Sequence, residues 1–73
     1  MNKTEWLENI EEKLLFLRYL ADSGQISQLA RVKLGGQFVD ACYGIEEYPE
    51  KLLEIFSSPQ YIAWRTKRRL LGE

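Results

Sequence analysis

Four residues near the C-terminus are the best placed to do chemistry. Tyr61, Arg65 and Arg68 recur at i, i+4 and i+7, with Arg69 beside them, so a helix gathers them into one aromatic-plus-arginine stripe. Three arginines and a tyrosine on one face can grip phosphates or stack on bases. The same residue types anchor protein interfaces. A third use is internal. Basic residues at a helix C-terminus offset its dipole, and they can pair with Glu46, Glu47, Glu50 or Glu54, or with the acidic face of the first helix. All three uses stay open on the sequence. The helix before the stripe and the Ser57-Ser58 break give an outline similar to a helix-turn-helix. The turn lacks the usual glycine, however, and the preceding glutamates would repel a nucleic-acid backbone.

Catalysis has little to build on. There is no histidine and one cysteine, so the commonest general base is missing and a structural zinc site lacks its ligands. Cys42 lies in a mainly apolar segment with no cationic neighbour in sequence, which predicts a buried core thiol. Glu11-Glu12 and Glu46-Glu47 read as solvated charge. Gly35-Gly36 lacks the later glycines and Lys-Ser/Thr of a phosphate loop. The expectation is a non-enzyme with no metal and no cofactor.

The elements that must position these residues read as helices. In residues 27–45 the polar residues of the second half are Lys33, Gln37 and Asp40, a single stripe that runs on to Gly44, and the rest of that half is apolar or small, which predicts a central helix enclosed by its neighbours. Gly35-Gly36 allows an alternative, an α-β-hairpin-α fold with a two-residue turn there, pairing Val32 with Val39 and Arg31 with Asp40. On the helical reading, the glycines mark a kink or a close crossing. Around this segment the sequence predicts a first helix from Thr4, as N-cap, to Asp22, closed by Gly24. Its core face is Trp6, Leu7, Ile10, Leu14, Leu17 and Ala21. Phe16 and Tyr19 fall outside that face, either covered by the last helix or exposed as contacts. A short helix from Pro49 to Phe56 buries Leu52, Leu53 and Phe56. The last helix runs from Pro59, capped by Ser58, to Leu71, with Trp64, Leu71 and the stem of Lys67 toward the core.

Together these make residues 1–73 a single all-α domain, a compact bundle of three to four helices. Such a chain buries little core, and a lone cysteine excludes an internal disulfide, so self-association or docking on a partner is the available support. The balance of 10 basic against 11 acidic residues, net −1, argues against wholesale electrostatic binding of nucleic acid. The charge is uneven, though: residues 55–72 hold Arg65, Lys67, Arg68 and Arg69 and no acid. No apolar run reaches the ~20 residues that span a bilayer, and the N-terminus has no signal-peptide pattern, so the cytoplasm is the expected location. The function expected first is a small regulatory or inhibitory interaction protein, with a homodimer as an option, that binds a partner with an acidic surface through Phe16, Tyr19, Tyr61, Arg65, Arg68 and Arg69. The alternatives are a nucleic-acid-binding regulator using the last helix and a structural subunit of a larger assembly.

Overall fold

The computed structural model describes residues 9–45 and 47–72. The expected cap at Thr4, the apolar Trp6 and Leu7, and Glu8, Glu46 and Glu73 lie outside those residues. The described chain is all-α: α1 Ile10–Asp22, α2 Gln28–Cys42, α3 Glu50–Phe56 and α4 Pro59–Leu70.

Local chemistry sets the helix ends. Ser27 Oγ accepts from the Ala30 N–H at 3.0 Å and Ser58 Oγ from the Tyr61 N–H at 3.2 Å, each satisfying a donor the first turn leaves unpaired. Pro59 follows at the first helical position, where its missing N–H costs nothing. α1 and α2 close alike. Gly24 (φ 80°) and Gly44 (φ 75°) take the left-handed conformation. Behind them Gln25 N–H donates to Leu20 C=O and Ile45 N–H to Asp40 C=O, both at 2.9 Å, completing a Schellman closure at each end. Gly44 therefore terminates α2, and the helix stops at Cys42, short of the expected Ile45.

Gly35 and Gly36 lie inside α2, which is continuous across them. The hairpin alternative is thus wrong. The 3.6-residue pattern of the whole segment outweighs two weak helix formers, because a lone hairpin has no sheet to join. A Cβ on Gly35 would sit 3.9 Å from Leu14 Cδ2, an ordinary contact, and one on Gly36 would meet nothing within 4 Å. Gly35→Ala and Gly36→Ala are accordingly each expected to raise stability by about 0.5–1 kcal/mol, the helix-propensity difference. Urea unfolding at low protein concentration reads this directly.

The expectation that α2 is the enclosed central helix is also corrected. Only Phe38, Ala41 and Cys42 are buried along it, while Leu29 and Val32 are exposed. α1 takes the central place, packing on both α2 and α4, and α3 packs on α4. The core comprises Phe16, Leu17, Leu20, Phe38, Cys42, Leu52, Phe56 and Tyr61, with Ile10, Leu14, Ile55 and Trp64 packed at its edge. The buried face of α1 is thus rotated from the expected one, toward Lys13, Phe16, Leu17 and Leu20. Phe16 is covered by the last helix, one of its two expected fates. In α3, Leu52 and Phe56 are buried as expected, but Leu53 is exposed and Ile55 takes its inward position.

Cys42 is the core thiol that its surroundings predict. Burial pushes it above the ordinary 9.0, against the opposing influence of the Tyr48 hydroxyl and the Lys13 ammonium. Burial likewise raises Tyr48 and Tyr61 above 10.0. A raised pKa means that the native state holds a proton which the unfolded chain releases, so stability falls as pH climbs past the ordinary value. Lys13, lowered from 10.5 chiefly by burial and then by Arg65, works in the opposite sense and partly offsets the loss. Stability should therefore decline from about pH 9 upward, and Cys42→Ala should flatten the slope between roughly pH 9 and 10. An unchanged slope in a pH series of urea unfolding curves would show that the thiol does not contribute.

Candidate interaction surface

The arginine stripe forms on α4, and most of it turns inward. At its centre lies Glu12 of α1, only 7% exposed. Its carboxylate accepts from Arg69 Nη2 at 3.0 Å and Nε at 3.3 Å, and from Arg68 Nη1 at 3.4 Å. The Tyr61 phenol lies 3.5 Å from Glu12 Oε1. Tyr61 is fully buried, and its raised pKa follows from burial first and the Glu12 charge second. The Arg65 guanidinium sits over the Tyr61 ring, 5.4 Å from its centroid, a cation–π arrangement. The Lys13 ammonium lies 5.9 Å from the same centroid.

Glu12 is thus a structural anion between two helices. Reading it as solvated charge was wrong, because two guanidinium groups replace its water. The six expected partner contacts divide accordingly. Phe16 (1%) and Tyr61 (0%) are core residues and present nothing to a partner. Arg65 lies over Tyr61, and Arg68 and Arg69 pair with Glu12, although Arg68 also reaches over Trp64 and Arg69 keeps half of its side chain in solvent. Tyr19 is 39% exposed.

The residues left facing outward regroup around Trp64. Its ring lies 5.2 Å from Phe16, 6.1 Å from Tyr19 and 6.3 Å from Tyr61, centroid to centroid. The Arg68 guanidinium caps it at 5.8 Å. Trp64, Lys67, Arg68 and Leu71 line one shallow groove, and Leu71 is 68% exposed, not packed on the core as expected. A second groove, lined by Asn9, Ile10, Glu11, Glu12, Arg68 and Arg69, adjoins it on the other side of Arg68. The result is a half-exposed tryptophan and tyrosine, a guanidinium over the tryptophan ring, and an exposed leucine. Trp64 packs against the core edge as the sequence predicts, but the reading of the sequence missed that its half-exposed ring also reaches the surface. Its position at i+3 from Tyr61 and i−4 from Arg68 was the available signal.

The fold and this surface define a small all-α domain whose aromatic–arginine patch is seated on its own core. Comparison with known proteins gives no match: no family model, no curated protein and no solved structure resembles the chain. No described helix is long and apolar enough to cross a membrane, and the described residues contain no cluster of His, Cys, Asp and Glu suited to a metal ion.

Proposed function

We propose that this chain is a non-enzymatic interaction module that docks on a partner protein through Tyr19, Trp64, Arg68 and Leu71. The observation that carries the reading is the stack of Arg68 on a half-exposed Trp64 beside Tyr19. Rigid aromatic area and a pre-oriented guanidinium are what interface anchors provide at low entropic cost. Lys67 and the exposed half of Arg69 add positive charge at the rim, which steers a partner with an acidic surface. Inhibition of that partner and a cytoplasmic setting are part of the same proposal.

Reversing all three arginines to glutamate would test the fold and not the binding, since it would crowd carboxylates around Glu12. The informative variants are Tyr19→Ala and Leu71→Asp, neither of which touches Glu12. With the tagged chain as bait, both should lose the partner that the wild type retains while keeping their helical circular dichroism. Retention of the same partner by both variants would overturn the reading. A shift of duplex DNA at low salt that Leu71→Asp leaves intact would move the function to nucleic acid.

A further inference from the structure

The outward face of α2 carries a second pattern, independent of the Trp64 patch. Leu29, Val32, Gly36, Val39 and Tyr43 follow one another at intervals of 3, 4, 3 and 4, the a/d spacing of a helix seam. Leu29, Val32, Gly36 and Tyr43 lie on the side away from the buried Phe38, Ala41 and Cys42, and Val39 borders that buried face. Leu29 is 65%, Val32 59% and Tyr43 79% exposed. Gly36 is exposed as well, and Val39 is half-buried at the edge of the stripe; an apolar stripe left largely in solvent marks an interaction face. At its centre is Gly36, above which a Cβ would meet nothing, so another backbone can approach closely there.

The charges beside the stripe say which occupant fits. Lys33 and Asp40 fall on the same flank, seven residues apart and almost equidistant from Gly36. None of the ion pairs among the described residues includes either of them. In an antiparallel pair of helices crossing at Gly36, Lys33 of each copy faces Asp40 of the other. The two-fold axis makes the pair twice, and the apolar stripe meets itself with Leu29 opposite Tyr43. A parallel pairing makes neither contact. The face is therefore self-complementary in shape and in charge, as an isologous interface requires.

We propose that α2 is a homodimerisation helix, packing antiparallel against α2 of a second copy around Gly36, with reciprocal Lys33–Asp40 ion pairs. The seam is one 15-residue helix long, which places the dimer among small, concentration-dependent interfaces.

The test is charge exchange followed by sedimentation across about two decades of concentration. Wild type should move from its 8.6 kDa monomer toward twice that mass. Lys33→Asp and Asp40→Lys should each weaken dimerisation by about tenfold or more, because each faces like charge twice. The double variant K33D/D40K should recover to within about threefold. The two positions are too far apart in one helix to pair, so recovery has only an inter-chain explanation. As a second readout, Gly36→Cys in a Cys42→Ser background should give a covalent dimer under mild oxidation, since only residues near the axis come within disulfide reach. Thr66→Cys in that background should not. A wild type that stays monomeric at every concentration overturns the proposal and leaves the face to a different protein. Single variants that dimerise normally, or a double variant that fails to recover, overturn it as well.

Discussion

Replacing Glu12 by alanine should cost about 3 kcal/mol of stability, the loss expected when one partner of a buried ion pair is removed and the other charges stay. The carboxylate holds Arg68 and Arg69 of α4 against α1, and Arg65 and Lys13 lie close by. Without it, Arg68 and Arg69 lose the carboxylate that both of them bond, with Arg65 adding to the positive charge nearby. The half-exposed side chain of Arg69 will relax into water, which keeps the cost near the lower end of the measured range for buried pairs. For a domain of 73 residues, total stability is roughly 4–11 kcal/mol, so the loss is a large fraction of it. Two controls separate this from a generic charge effect. Arg18→Ala breaks the Arg18–Asp22 pair, 3.7 Å apart with both side chains more than half exposed, and should cost under about 0.5 kcal/mol. Salt should restore part of the Glu12→Ala loss by screening the remaining repulsion. If urea unfolding finds Glu12→Ala no worse than Arg18→Ala, the ion cluster is not what joins α1 to α4.

Glu12 also marks where the sequence stops being readable. What depends on neighbours a few residues apart could be read ahead: the Ser27 and Ser58 caps, the Gly24 closure, the break at Ser57-Ser58-Pro59, and Cys42 as a core thiol. The stripe of Tyr61, Arg65, Arg68 and Arg69 was legible as a stripe. Its direction was not, because whether it faces water or protein is decided by a carboxylate 56 residues from Arg68. Glu11 and Glu12 are the same residue type at adjacent positions, yet one is exposed and the other buried. A 100° step around α1 makes that difference, and composition does not record it. The inward displacement of Lys13 has the same origin. The rotation of α1 toward Phe16 and Leu20 also explains why Leu14 is only half-buried. α2 was misjudged for a different reason. An apolar helix surface was read as a buried one, whereas Leu29 and Val32 on it lie in solvent.

Phe56→Ala should be among the most damaging truncations, at about 3–5 kcal/mol. Phe56 is 1% exposed and makes edge-to-face contacts with Phe38 of α2 at 5.4 Å and Tyr61 of α4 at 5.5 Å. Tyr61 in turn meets Phe16 at 5.0 Å, and Phe16 meets Trp64 at 5.2 Å. These rings form one ladder from α2, through α3 and α4, to α1 and the Trp64 patch. Edge-to-face pairs add about 0.5–1.5 kcal/mol each beyond area burial, so a cavity at Phe56 loses two such contacts as well as its own transfer energy. Phe56→Leu keeps most of the volume and should cost less, about 1.5 kcal/mol. Leu53→Ala, one turn earlier and 38% exposed, should cost about 1 kcal/mol or less. The ladder also makes a claim about function. If the Trp64 stack is seated by Tyr61 and Phe16, Phe56→Ala should loosen the Trp64 ring even in the fraction that stays folded. Ring-current shifts on Trp64 at low temperature report that directly. A folded fraction with an unmoved Trp64 would mean that the patch stands on Phe16 and Arg68 alone, and that core and interaction surface can vary independently.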